Sequence, residues 1–269
     1  MSQQPDFIDV SHWQGAIDWK AVAGSGILGA IAKCTDGQRR LDPNYLKNRL
    51  GALANGLAFC PYHYLQRGEA GAQMDWFLSQ AQLRQGERVV LDYEEADPAV
   101  RITDLQAAIF AIRKDRPDLQ ITVYGASKLT EDVNKLEDTS WLQETSLWAA
   151  RYSTVNQPVV AKAWPYWSAW QFTDEGRIAG IDGEVDLSTF NGSPEACLAW
   201  FGPATEAPIP VPEPPVEMVV EEKPKPIDPA EHAVAQILRA FGREVAVSIE
   251  EDGTVSFWVD GQPWHDAKA

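Results

Sequence analysis

Basic charge is scarce in this chain. Lys and Arg number 23 against 39 Asp and Glu, a formal net charge of −16. Nucleic acid and anionic membrane surfaces need a basic patch, so neither is an expected partner. Cysteine is scarcer still. Cys34, Cys60 and Cys197 are odd in number and show no CxxC spacing, which argues against a disulfide framework or a zinc site and predicts free thiols. The four histidines, His12, His63, His232 and His265, lie far apart in sequence, and no pair has metal-ligand spacing. No apolar run is long enough for membrane insertion. The opening Met1-Ser2-Gln3-Gln4-Pro5-Asp6 has neither a basic segment nor an apolar core, so we expect synthesis in the cytoplasm without a signal peptide.

Apolar residues are plentiful, 45% of 269 positions, enough for one barrel-sized domain and a small appendage. Tryptophan is abundant, with eleven residues, several beside polar neighbours rather than inside apolar runs. That suits stacking on sugar rings as well as core packing.

Short apolar strands alternate with helical stretches. Strands are read at 7–10, 27–33, 57–64, 88–91, 119–124, 147–152, 168–172 and 185–187. Helices are read over residues 16–26, 43–56, 69–85, 103–115 and 127–136. The helix over 43–56 places Tyr45, Leu46, Leu50 and Leu53 on one side, and that over 103–115 has Leu105, Ile109 and Ile112 in register. Eight strands separated mostly by helices predict an α/β fold, a parallel barrel rather than an open sheet, with plainer connections between its last strands. No GxGxxG follows the first strand, so a dinucleotide site is unsupported and no cofactor is expected.

The polar residues gather at strand ends. Asp9, Lys33, Tyr62, His63, Asp92, Glu94, Tyr124, Arg151, Gln171 and Asp186 all lie at or just past the ends of strands, which converge on one rim of a barrel. The sharpest signal is Val89-Val90-Leu91-Asp92-Tyr93-Glu94, a buried strand ending in two acids on one face. Such a pair is costly to desolvate unless a site uses it or arginines neutralise it.

Residues 203–229 carry nine prolines and read as an acidic, semi-rigid linker. Residues 230–269 regain pattern: a helix over 230–241, then Val245, Val247 and Ile249 alternating, an Asp252-Gly253 turn, and Val255, Phe257 and Val259 alternating. A module this small suggests oligomerisation or docking through residues 230–269, the alternative being packing on its own barrel.

Several motifs, in order, resemble glycoside hydrolase family 25 lysozymes, which cleave bacterial peptidoglycan. They are Asp9-Val10-Ser11-His12-Trp13-Gln14-Gly15, Ala32-Lys33-Cys34-Thr35-Asp36-Gly37, Pro61-Tyr62-His63-Tyr64, Asp92-Tyr93-Glu94, Leu147-Trp148-Ala149-Ala150-Arg151-Tyr152, Trp170-Gln171-Phe172 and Val185-Asp186-Leu187-Ser188-Thr189-Phe190-Asn191-Gly192. One departure is Asp36, where the family usually carries Glu. The resemblance implies a catalytic domain at 1–202, an irregular TIM-like barrel of five βα units and three further strands. It implies an N-acetylmuramidase with Glu94 as general acid and Asp92, Asp9 and Asp186 completing the acidic site. Tyr62, Tyr124, Trp148 and Trp170 are expected to line the groove with Gln171, while Lys33 holds a substrate carboxylate or balances the acids. His63 is read as a rim or core residue, and Trp13 and Trp19 as packing residues. Two other classes compete: a metal-dependent carbohydrate deacetylase, disfavoured by the scattered histidines, and a barrel that binds peptidoglycan without cutting it. The expected setting is phage lysis, with release through a holin-type pore; a toxin moved by a secretion machine is the alternative.

Overall fold

The computed structural model describes residues 4–95, 98–153 and 157–203, and the backbone of 245–249, 255–259 and 262–263. The chain separates into two units, residues 1–212 and 213–269.

In the first unit the elements run β1 (Phe7–Val10), α1 (Trp19–Gly24), β2 (Gly29–Asp36), β3 (Arg40–Leu41), α2 (Tyr45–Ala54), β4 (Ala58–Tyr64), α3 (Ala70–Gln80), β5 (Arg88–Asp92), α4 (Ile102–Asp115), β6 (Gln120–Gly125), α5 (Ser127–Lys135), β7 (Thr145–Ala150), β8 (Ala169–Gly176), β9 (Val185–Phe190) and α6 (Pro194–Phe201). The helices start where the chemistry allows. The Asp18 carboxylate accepts from the Lys20 and Ala21 amides to cap α1, and Ser193 Oγ accepts from Ala196 N, with Pro194 in the first turn of α6.

Eight strands close into a barrel in the order β1-β9-β8-β7-β6-β5-β4-β2, sealed by β1 against β2. Six of the contacts are parallel, but β9 is antiparallel to both β8 and β1. The irregular barrel with plainer last strands is as expected; the reversal of β9 is what the reading of parallel strands did not include. The connection from β8 to β9 contains no helix, so the chain turns straight back instead of crossing over. The short β3, which folds back on the end of β2, and the helix α6 were not foreseen. On α2 the expected stripe is also corrected. Leu50 is 52% exposed, and the helix buries Tyr45, Asn48, Arg49 and Ala52. Arg49 takes a core-facing position because its guanidinium donates to Gln82 O at 3.0 Å and lies 3.7 Å from Glu87.

Side-chain alternation sorts the core into two layers. Ile8, Val10, Val89, Leu91, Val123 and Leu147 face outward and pack with helix residues such as Leu105, Ile109 and Ile112. Phe7, Ile31, Cys60, Val90, Tyr124, Trp148 and Ala169 face inward, where Cys197, Trp200 and Phe201 of α6 join them. All three cysteines are free and buried. Helix α6 thus stoppers the end of the barrel at which β1 and β2 begin. Its fit is close: a Cβ added at Gly29 would lie 2.7 Å from the Phe201 ring. Buried among these rings is Arg88, the first residue of β5. Its guanidinium donates to Thr122 Oγ1 (2.9 Å), Ser146 Oγ (3.0 Å), Gln120 Oε1 and Trp200 O, and lies 4.7 Å from the Trp200 ring centre.

In the second unit β10 (Val245–Ile249) pairs antiparallel with β11 (Val255–Val259), aligning Val245 with Val259, Val247 with Phe257 and Ile249 with Val255. A third strand, β12 (Gln262–Pro263), extends this hairpin. The expected linker and the helix over 230–241 lie outside the described residues. Among the described residues no helix is long and apolar enough to cross a membrane.

Candidate active site

With one end of the barrel filled by aromatic rings, the inward positions at the other end are left to polar groups. Continuing each inward set by two residues leads from Phe7 to Asp9, from Val90 to Asp92, from Cys60 to Tyr62 and from Ala169 to Gln171. Asp186 arrives differently. It stands at the beginning of β9, not the end of a strand as expected, and reaches the same rim because β9 runs the other way. In register it lies directly opposite Asp9.

These residues enclose a pocket of about 140 Å³, lined by Asp9, Tyr62, Asp92, Glu94, Tyr124, Trp148, Tyr152, Gln171 and Asp186. Glu94 stands two residues beyond Asp92, just past the end of β5. Gln171 ties the floor together. Its Nε2 donates to Asp9 Oδ2 at 2.9 Å, and its Oε1 accepts from the Tyr124 hydroxyl at 2.6 Å and the Tyr152 hydroxyl at 3.2 Å. Trp148 Nε1 donates to Ser188 Oγ at 3.1 Å, which holds the indole across the barrel.

Four carboxyl groups in one small space cannot all ionise cheaply. Burial, and then the charge of Asp186, raises Asp9 well above the ordinary carboxylate range. Burial and the charge of Glu94 do the same to Asp92. Glu94 is raised by burial, against the pull of the Tyr124 hydroxyl and the Lys33 ammonium. Asp186 is pushed up to about 7 by burial and the charges of Asp174 and Glu94. Asp9 and Asp186 face each other in register across the β1–β9 seam, and the Asp186 charge is one of the causes that raise Asp9. Asp92 Oδ1 is buried without a hydrogen-bond partner among the described residues, a costly state for a carboxylate oxygen.

Two expected groove residues lie elsewhere. Trp170 neighbours Gln171 on β8 and so points outward. Its Nε1 donates to Arg151 O at 2.8 Å and its ring packs with the outer core. Lys33 does not line the pocket. Its ammonium lies 3.3 Å from Asp36 and 4.6 Å from the Tyr64 ring centre, close enough to pull on Asp92 and Glu94 as a counter-charge. His63 is a fully paired core residue between Thr35 Oγ1 (2.8 Å) and Gln73 Oε1 (3.1 Å), and burial lowers it to about 4. Trp19 packs against Gly51, as expected of a packing residue. Trp13 does not. It is 82% exposed on the turn after β1, with its ring 4.6 Å from that of His12. The buried Asp42 anchors this turn, accepting from both His12 N and His12 Nδ1.

The sequence reading passed over Tyr152. The signal was available: Trp148, Ala150 and Tyr152 alternate on one face of the chain leaving β7. Among the described residues no group of three or more His, Cys, Asp or Glu side chains is arranged to hold a metal ion.

A closed barrel whose open rim carries buried, mutually repelling carboxyl groups among aromatic and amide side chains has the equipment of a glycoside hydrolase. Comparison with known proteins identifies which kind. The profile of the glycosyl hydrolases family 25 matches residues 8–181, and the chain belongs to that family. It is similar to lysozyme M1 of Streptomyces globisporus, 29% identical over 212 residues, covering 71% of this chain and 69% of that protein. It is also similar to the uncharacterized protein YegX of Escherichia coli K12, 30% identical over 212 residues and 75% of each chain. Among solved structures it resembles the bacterial lysozyme of Streptomyces coelicolor, with a TM-score of 0.59 at 25% identity, over 75% of this chain and 98% of that one. The protein is therefore a glycoside hydrolase of lysozyme type, a class that acts on peptidoglycan.

Proposed function

We propose that the enzyme is an N-acetylmuramidase, hydrolysing the β-1,4 bond between N-acetylmuramic acid and N-acetylglucosamine. The observation that carries this reading is the unpartnered Asp92 Oδ1 beside a Glu94 whose burial favours its protonated form. Glycoside cleavage needs a proton at the leaving oxygen and negative charge near the developing oxocarbenium ion. Glu94 gives its proton to the glycosidic oxygen as the bond from the anomeric carbon breaks. Asp92 Oδ1 accepts the N–H of the substrate's acetamide, whose carbonyl oxygen then bonds the anomeric carbon. Glu94, now a carboxylate, takes a proton from the water that opens this intermediate. Asp9 and Asp186 hold one proton between them and keep the local field negative.

Tyr62, Tyr124, Trp148 and Tyr152 supply the walls against which a sugar packs, and Trp13 a platform further along the rim. Lys33 serves as counter-charge rather than substrate contact, and Trp170 as a packing residue. The partner is peptidoglycan, with nucleic acid disfavoured by the acidic balance. For the setting we propose phage lysis after release from the cytoplasm, tested by whether cells lyse only when a holin is co-expressed. For residues 230–269 we propose self-association or docking. Light scattering of the full chain against residues 1–203 tests it, and equal monomeric masses would remove the self-association.

The chemistry is tested by release of reducing ends from purified peptidoglycan. Glu94→Gln is expected to lose about 10²–10⁴-fold in kcat, EDTA to change nothing, and muramic acid to stand at the new reducing ends. Loss with EDTA, or glucosamine at the reducing end, would overturn the assignment.

A further inference from the structure

A second cleft, of about 490 Å³, lies over β2, β3 and the turn that follows β4. Among the described residues its lining includes Arg39, Arg40 and Arg67 against one acid, Asp36. In a chain of net charge −16 this local excess of guanidinium groups is unusual. Asp36 is already satisfied, with Arg40 at 3.1 Å, Lys33 at 3.3 Å and Gln66 Nε2 donating to it at 3.0 Å. Arg39 and Arg67 are exposed, and among the described residues neither has an ion pair or a hydrogen bond.

The cleft is held in shape from beneath. Gly37 turns the chain at a φ of 58°. The buried Gln73 accepts from Gln66 N at 2.9 Å and donates to Gln66 O and Gly68 O, which fixes the backbone on either side of Arg67. The cleft also has a defined bearing on the catalytic pocket. Asp36 pairs in register with Tyr64, and Tyr64 with Asp92. Two strand spacings separate Asp36 from Asp92, about 10 Å along the rim. That is roughly three residues of extended peptide.

The substrate branches at this scale. Each muramic acid carries a lactyl-linked stem peptide, and free carboxylates first occur on the second and third residues of that peptide. Arginine forks match carboxylates in geometry as well as charge. Building on the muramidase reading, we propose that this cleft binds the stem-peptide carboxylates of peptidoglycan, with Arg39 and Arg67 as the contacting groups.

The test compares wild type with the Arg39→Gln/Arg67→Gln double variant on soluble glycan strands, with stem peptides and with the peptides removed by an amidase. The strands are prepared free of teichoic acid, so wall phosphate cannot supply the anion. The variant is expected to raise KM about tenfold on peptide-bearing strands, to leave kcat unchanged, and to match wild type on bare strands. Titration with the tripeptide L-Ala-γ-D-Glu-meso-diaminopimelate should perturb wild type and not the variant. Equal KM values on peptide-bearing strands, or the same loss on both substrates, would overturn the proposal. Failure of wild type to cut either substrate would instead overturn the muramidase reading, and the tripeptide titration would then decide the cleft alone.

Discussion

The two ends of the barrel bury charge in opposite ways. At the end closed by α6, Arg88 has no carboxylate partner among the described residues, yet neutral acceptors surround it and the Trp200 ring lies against it. At the open end, four acids crowd together and Asp92 Oδ1 has no hydrogen-bond partner among the described residues. Burial lowers Arg88 only to about 10, so it stays charged at neutral pH, whereas every acid of the pocket is pushed toward its neutral form. A charge that serves the fold is satisfied. The pocket acids are instead crowded against one another, and the fold bears the cost.

That contrast can be broken from either end. The largest effect is expected at Glu94: Glu94→Gln should remove about 10²–10⁴-fold of the activity while urea unfolding shows no loss of stability. Next is Arg88→Ala, which leaves several buried acceptors unpaired and should cost about 3 kcal/mol in the same unfolding experiment. Activity per folded molecule should stay near wild type, because Arg88 is far from the acids along the barrel axis. Smaller, and opposite in sign, is Asp186→Asn. The folded Asp186 holds its proton up to about pH 7, whereas the unfolded one releases it near pH 4. Its contribution to stability is therefore complete below about pH 4 and is lost as pH rises through about 7. The variant should melt a few degrees above wild type at pH 8, match it at pH 3, and be impaired as an enzyme. The smallest effect is expected for Trp13→Ala, a rise of about threefold to tenfold in KM with an unchanged melting temperature, since the ring is exposed.

Much of this was readable from residues alone. Strand and helix order followed from apolar period and from Gly stops, and the four acids were named by their positions at strand ends. What failed has a physical source. Trp170 has the identity of a groove residue but the wrong parity; the inward position on β8 belongs to Gln171. Tyr152 was missed for the same reason in reverse. Leu50, expected on the packed side of α2, is exposed while Arg49 is buried, because a hydrogen bond to Gln82 O and a nearby Glu87, neither visible in a helical pattern, make burial of an arginine acceptable. The direction of β9 was illegible because it depends on a connection with no regular structure. Trp13 looked like packing until the turn bearing it was seen to hang on Asp42.

The reversal of β9 also says when this enzyme can first act. Gln171 reaches back 162 positions to hold Asp9, and Asp186 meets Asp9 only across the seam that closes the barrel. One of the four acids is therefore added by the last strand of the barrel to be synthesised. A growing chain stopped before β9 has neither a closed barrel nor Asp186 beside Asp9, so the pocket is complete only once the whole barrel has been made.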